Sequence, residues 1–157
     1  MSHSQTQQPS SGQSIRQHWM AVLANASYPA LVSRWQQLNL DPECEVIRQP
    51  EVGLARLQGR VGGTGERFNL GDTTITRAAV RLSDGTLGYG YLRGRAKQHA
   101  LLSAVIDALM QNREYAPSLQ EAVIQPLAEL QQQAKHKTAE HAAQSKVDFF
   151  TVVRGED

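Results

Sequence analysis

The sequence contains very little cysteine, few aromatic residues and no long hydrophobic run. Cys44 is its single cysteine, which excludes an internal disulfide and any zinc site built on several cysteines. A lone cysteine also fits a reducing compartment. No segment approaches the ~20 apolar residues of a membrane span, and residues 1–14 lack the apolar centre of a signal peptide. These absences predict a soluble, cytoplasmic protein that binds no metal.

The chain also lacks an excess of either charge. Sixteen basic and fifteen acidic residues give a net charge of +1, so overall charge predicts neither nucleic-acid nor membrane binding. The arginines are nevertheless concentrated in the central third, where a solvated sheet face and an anion-binding surface explain them equally well. They are Arg56, Arg60, Arg67, Arg77, Arg81, Arg93 and Arg95.

The length and the hydrophobic periodicity predict one α+β domain. The 157 residues suffice for a single core, which we place at 15–157, after a disordered polar tail at 1–14. Helical spacing predicts two N-terminal helices and at least two C-terminal helices, the last interrupted at Pro126. Between them we expect an antiparallel β-meander of about four strands, counting stretches on either side of Pro50 separately. Residues 147–153 predict a closing strand that joins this sheet or a sheet of another chain.

A β-hairpin is the most informative feature of the central third. Asp84-Gly85 lies between two extended runs and predicts a two-residue turn. In that register, Arg77 and Arg81 share a face with Gly88 and Gly90, which would leave an open shelf for a ligand or a partner. That face would lie opposite Tyr89 and Tyr91, which are expected to cover the core.

Several residues are candidates for contact with an anion or a partner chain. The loop of Gly62, Gly63, Thr64 and Gly65 is expected to connect two strands, and its backbone amides would form an anion nest beside Arg67 or Arg60. The loop lacks the lysine of a P-loop and precedes a strand, so no helix N-terminus is directed at the anion. Further candidates are Arg77, Arg81, Arg95 and His99.

His99 has two competing interpretations. Beside an apolar helical stripe, a packing histidine is the more common role, because a ligand needs convergent partners. Its cationic neighbours Arg93, Arg95 and Lys97 would lower its pKa and suit contact with an anion. The sequence leaves both possibilities open.

No catalytic residues are identified from the sequence. It contains neither a Gly-x-Ser-x-Gly nor a His-Glu-x-x-His motif, and no close acidic pair falls on one predicted face. Asp72, Asp84 and Asp107 are assigned to turns or to a helix surface. The residues alone therefore predict a surface suited to binding anions and no set of catalytic residues.

Seven segments in a fixed order resemble the PhnG family of phosphonate-metabolism proteins, over about residues 15–155. The joint spacing makes this resemblance specific, although residues 131–146 match in little beyond polar helical character. The segments are Arg16–Ala24, Gly62–Phe68 with Gly71-Asp72, Thr76–Arg81, Asp84–Tyr89, Gly94–Ala100, Asp107–Gln111 and Val147–Gly155.

The resemblance implies a cytoplasmic subunit of the carbon–phosphorus lyase core complex. With PhnH, PhnI and PhnL, such a protein would make α-D-ribose 1-methylphosphonate 5-triphosphate and adenine from ATP and methylphosphonate. PhnJ, which carries an iron–sulfur cluster, and PhnK would be further partners. The resemblance implies that ATP is a substrate of the assembly, that this chain is inactive alone, and that it binds no cofactor; one cysteine cannot hold such a cluster.

Three hypotheses follow. In the first, the chain is a subunit that holds its neighbours and presents positive charge to a phosphate-bearing substrate. In the second, it is an autonomous phosphate- or nucleotide-binding enzyme. In the third, which ranks last, it is a nucleic-acid-binding module, and this requires aromatic residues on the arginine face.

Overall fold

The structure is a computed structural model that describes residues 11–144. Two helices precede a three-stranded antiparallel sheet and further helical segments follow it, which confirms the predicted α+β class. Helix α1 begins at Ser11, inside the stretch assigned to the polar tail. The predicted closing strand at 147–153 lies outside the described residues. The elements are α1 (Ser11–Asn25), α2 (Tyr28–Gln37), β1 (Cys44–Arg60), β2 (Arg67–Leu82), β3 (Leu87–Arg93), α3 (Lys97–Met110), α4 (Ala116–Leu119) and α5 (Gln125–Gln144).

The described sheet is a meander with the strand order β1-β2-β3, so the predicted count of about four strands was wrong. The two stretches on either side of Pro50 form one continuous strand. Proline is tolerated there because β1 is an edge strand and its pairing with β2 shifts register between Arg48 and Glu51.

The turn between β2 and β3 holds three residues, so the predicted two-residue turn was also wrong. The backbone N–H of Leu82 donates to the carbonyl of Thr86 at 2.9 Å, and Gly85 takes a positive φ of 89°. Arg81 consequently pairs with Leu87. Because strand side chains alternate between faces, this shift of one residue exchanges the two faces of β3 relative to β2.

Helix α3 packs closely across the inner face of this hairpin, above Gly88 and Gly90. A Cβ atom at Gly88 would overlap the carbonyl oxygen of Ala104, and one at Gly90 would overlap that of Ala100. The two glycines therefore allow the helix backbone to approach the strand. The core beneath is completed by buried apolar residues of all layers, including Leu23, Leu31, Val80, Leu92, Ile106, Leu109, Leu119, Val123, Ile124 and Leu127.

Asp107 ties three elements together, and its predicted position on a helix surface was wrong. Its carboxylate is fully buried and accepts hydrogen bonds from Arg16 at 2.7 and 3.1 Å, from the Trp19 indole at 2.8 Å and from the backbone N–H of Tyr89 at 2.9 Å. The carboxylate raises the pKa of the Arg16 guanidinium. A buried charge is stable only when it is paired in this way, so Asp107 fastens α1 and β3 to α3.

The last helical segment is interrupted, as the sequence predicts, but the interruption precedes the proline. A π turn occupies Gln120–Ile124, and α5 continues from Gln125 through Pro126. The wider turn is a common way to accommodate a backbone position that lacks an N–H group. None of the described helices is both long enough and apolar enough to cross a membrane.

Candidate functional site on the outer sheet face

The outer face of the sheet, which points away from α3, has two parts. In the first, which we call the body sheet, β1, β2 and β3 lie side by side. In the second, residues 54–74, β1 and β2 continue beyond the end of β3 as a two-stranded hairpin. We call this hairpin the arm. No residue between 54 and 74 is buried, and the seven extended residues that β1 contributes, 54–60, give the arm a length of about 23 Å.

The body sheet holds two of the predicted anion-binding arginines, and both are paired within the chain. Arg77 donates to Glu51 at 2.6 Å, and Arg81 donates to Glu45 at 2.5 Å. Hydrogen bonds from Arg77 and from Arg48 lower the pKa of Glu51. These cross-strand pairs leave the positive charge on this surface largely compensated.

Neither glycine predicted to lie beside these arginines does so. Gly88 and Gly90 lie on the inner face against α3, and the predicted open shelf is therefore wrong. Tyr89 and Tyr91 take their place on the outer face, where they are 45% and 52% exposed. The guanidinium of Arg16 lies 5.6 Å from the centre of the Tyr89 ring, a cation–π contact.

A cleft of about 540 Å³ lies at the turn end of the body sheet, beside Arg81. Glu43 and Glu45 also line it, together with Cys44, Leu82, Ser83 and Gly85. Two carboxylates against one guanidinium make this cleft a poor anion site.

The predicted glycine loop forms the tip of the arm. Gly62 and Gly63 take positive φ angles of 60° and 82°, which glycine adopts without strain. The backbone N–H groups of Thr64 and Gly65 both donate to the carbonyl of Val61, so two of the amides proposed for an anion nest are used within the turn. The loop thus acts first as a hairpin closure.

The sequence-predicted site residues do not converge on one place. Gly62 to Arg67 lie at the arm tip, whereas Arg77 lies ten residues further along β2, a separation of about 33 Å along the strand. Arg95 is exposed in the connection between β3 and α3. His99 lies inside the fold.

His99 occupies a packing position. It is 7% exposed, its Nε2 lies 2.9 Å from the carbonyl oxygen of Leu23, and its ring packs against Tyr28 with the centroids 5.7 Å apart. Burial lowers its pKa. The neutral ring therefore joins α1, α2 and α3, and this geometry favours the packing role over contact with an anion.

The arm carries an apolar face that the sequence reading missed. Phe68 and Leu70 converge over Gly59, where an added Cβ atom would lie 3.1 Å from the side chain of each. Leu57 points to the same side as Gly59 by strand alternation. We call Leu57, Phe68 and Leu70 the arm patch; they are 46%, 44% and 62% exposed.

A β-bulge sets this arrangement. The pairing passes from Leu57 with Gly71 to Gln58 with Asn69, so Leu70 is the extra residue on β2. The extra residue shifts the alternation by one, which places Phe68 and Leu70 on the same outer face as Arg77. Gly71, with a φ of 140°, permits the bend.

The reverse face of the arm carries polar and charged side chains towards its tip, whereas Leu54 at its base lies on the same face by strand alternation and is 71% exposed. Gln58 contacts Asn69 across the strands at 3.4 Å, and Arg60 is the direct cross-strand partner of Arg67. Within residues 11–144, neither arginine forms an ion pair; Arg60 donates a long hydrogen bond of 3.4 Å to the carbonyl of Gly65. Two like charges placed directly opposite each other oppose strand pairing.

Over the described part of the chain, no group of three His, Cys, Asp or Glu side chains is close enough to hold a metal ion.

The fold and the outer face define a small α+β protein whose projecting arm has an apolar face and whose exposed arginines lie at separate places. This form is typical of a component of a larger assembly. Residues 14–155 match the family described as phosphonate metabolism protein PhnG. The chain belongs to this family, and the resemblance seen in the sequence is confirmed.

A relative from Rhizobium meliloti (strain 1021) is 42% identical over 146 residues, which cover 93% of each chain. It is named alpha-D-ribose 1-methylphosphonate 5-triphosphate synthase subunit PhnG.

Proposed function

We propose that this chain is a subunit of α-D-ribose 1-methylphosphonate 5-triphosphate synthase in organic phosphonate catabolism. The observation that carries the proposal is the 42% identity with a subunit of that name over nearly the whole of both chains. The assembly would transfer the ribose triphosphate moiety of ATP to methylphosphonate and release adenine. Its other members would be subunits of the PhnH, PhnI, PhnJ, PhnK and PhnL kinds, in the cytoplasm.

Within that assembly, the chain would act mainly through its surfaces. It would bind no cofactor of its own, and ATP would reach it only as a substrate of the whole assembly. The body arginines Arg77 and Arg81 are held by glutamates, so they would present little charge to a triphosphate. The arm arginines Arg60 and Arg67 have no such partner among the described residues, which makes the arm the better candidate for an intermolecular contact.

Co-expression of the chain with the other synthase subunits tests this function. We expect a stable assembly that releases adenine from ATP and methylphosphonate, and no release by the chain alone. An assembly without this chain should release adenine far more slowly. Full activity without it would contradict the proposal.

The autonomous-enzyme alternative predicts the opposite result. Adenine release by the purified chain, without any other subunit, would support it. The same assay therefore separates the two hypotheses.

One observation favours the nucleic-acid-binding alternative. Tyr89 and Tyr91 lie on the exposed face that carries Arg77 and Arg81, whereas the predicted register had placed them on the opposite face. Exposed aromatic rings beside arginines can stack on bases. The glutamate partners of both arginines offset the attraction to phosphates, so we propose that nucleic acid is not a partner. Salt-sensitive micromolar binding to a single strand in a filter-binding titration would contradict this.

A further inference from the structure

We infer that the arm, residues 54–74, docks into a different subunit of the same assembly. Its binding cleft would have one apolar wall and, on the opposite wall, a carboxylate that binds between Arg60 and Arg67. The inference rests on the proposed function, because it requires the other synthase subunits as partners.

The first argument is the shape and chemistry of the arm patch. An isolated two-stranded hairpin is only marginally stable in water, yet this one extends about 23 Å beyond the third strand. The bulge at Leu70 brings three large apolar side chains to one face, and Gly59 leaves room for Phe68 and Leu70 to meet. Aromatic and aliphatic side chains grouped in this way are typical anchors of protein–protein interfaces.

The second argument is the difference in charge pairing between the arm and the body sheet. Each exposed arginine of β1 and β2 in the body sheet, namely Arg48, Arg77 and Arg81, forms a salt bridge of 2.5 to 2.7 Å with a glutamate. At the arm tip, Arg60 and Arg67 instead lie opposite each other. A carboxylate from another molecule, placed between the two guanidinium groups, would convert this repulsion into two charge-assisted hydrogen bonds.

The arm patch and the Arg60–Arg67 pair on the reverse face together indicate what kind of molecule the arm binds. A second copy of this chain that paired through its arm would bring a second Arg60–Arg67 pair and add to the positive charge. A triphosphate would satisfy the arginines but leave the arm patch in water. A different protein with an apolar wall and an acidic group satisfies both faces.

The experiment measures the affinity of the purified, full-length chain for the assembly of the remaining synthase subunits. Three forms are compared: the unmodified chain, Phe68→Ser/Leu70→Ser and Arg60→Glu/Arg67→Glu. We expect each variant to bind on the order of tenfold or more weakly. Affinity of the unmodified chain should fall with added salt, and the charge-reversed variant should lose most of that dependence.

Matched control variants carry the same kinds of substitution outside the arm. Ile47→Ser/Leu130→Ser removes two apolar side chains of similar exposure, and Arg93→Glu/Arg113→Glu reverses two exposed arginines. Both controls should bind as the unmodified chain does. Thermal unfolding of the arm variants should remain near that of the unmodified chain, because no arm residue is buried.

Each other outcome overturns the inference in a distinguishable way. Unchanged affinity of both arm variants, in an assembly that forms normally, overturns it while the proposed function stands. A dimer of the isolated chain that Phe68→Ser abolishes would identify a second copy as the occupant. Normal assembly of the Arg60→Glu/Arg67→Glu variant with a raised KM for ATP would identify the triphosphate. Failure of the unmodified chain to assemble would remove the proposed function and the inference together.

Discussion

The body sheet and the arm share strands β1 and β2, and they differ in how their side chains are satisfied. In the body, Asp107 is fully enclosed by donors, the outer arginines are paired with glutamates, and the backbone of α3 fills the space above Gly88 and Gly90. In the arm, Leu57, Phe68 and Leu70 are grouped on one exposed face, and Arg60 lies opposite Arg67. This difference is the basis of the inference that the arm contacts another molecule, whereas these charged groups of the body are satisfied within the chain.

The largest effect is expected from removing the carboxylate that fastens the body. Asp107→Ala leaves the indole N–H of Trp19, the backbone N–H of Tyr89 and the Arg16 guanidinium without their acceptor. We expect the free energy of unfolding to fall by about 4 kcal/mol, the typical cost of breaking a buried charge pair. Denaturant titration followed by circular dichroism measures this.

The matched control is Asp72→Ala in the arm. Asp72 is exposed, so the same substitution there should change the free energy of unfolding by no more than about 0.5 kcal/mol. Similar losses at the two positions would show that the arm contributes to stability as the body does.

The second comparison concerns glycine. In Gly90→Ala, the added methyl group meets the backbone of α3 at Ala100, which cannot move without displacing the helix. We expect a loss of about 3 kcal/mol from this overpacking. Gly53, where the arm leaves the body, has no heavy atom within 4 Å of an added Cβ. Gly53→Ala should therefore be neutral, or stabilise by about 0.5 kcal/mol, since alanine restricts the unfolded chain. Equal effects in thermal denaturation would contradict the close approach of α3.

The smallest effect is a dependence of body stability on pH. Burial lowers the pKa of His99 in the folded state, so the unfolded chain binds this proton more readily. The contribution of His99 to the free energy of unfolding is fully present above the unfolded-state pKa of about 6.5. It is lost as the pH falls from there towards the lower pKa of the folded state. His99→Gln should flatten the curve of unfolding free energy against pH in that window. An unchanged slope in the variant would assign the dependence to another group.

Local patterns predicted most of the secondary structure, because periodicity and turn residues act over a few neighbours. The two N-terminal helices, the meander, α3 and the interrupted last helix were all found. Pro50 led to the wrong prediction that β1 is two strands. Proline interrupts a central strand, but it is tolerated in β1, which is an edge strand with a register shift at this position.

The candidate site was predicted less well, for a specific reason. Asp84-Gly85 correctly indicated a turn, but its length of three residues decided which side chains share a face. The predicted register therefore placed Gly88 and Gly90 on the face of Arg77 and Arg81, whereas the structure places Tyr89 and Tyr91 on that face and glutamates of β1 across from the two arginines. The arm patch depends in the same way on a single extra residue, for which Gly71 was the only local signal.

The order of the elements, the lone cysteine and the family follow from the sequence by itself, since they depend on composition, on spacing and on motifs that can be read along the chain. Only the tertiary structure decided which residues meet. Helix α3 covers the glycines, Asp107 lies in the interior, and a bulge turns Phe68 and Leu70 to one face. The physical reason is that side chains alternate with a period of two in a strand, so a one-residue change in a turn or bulge exchanges the inner and outer faces.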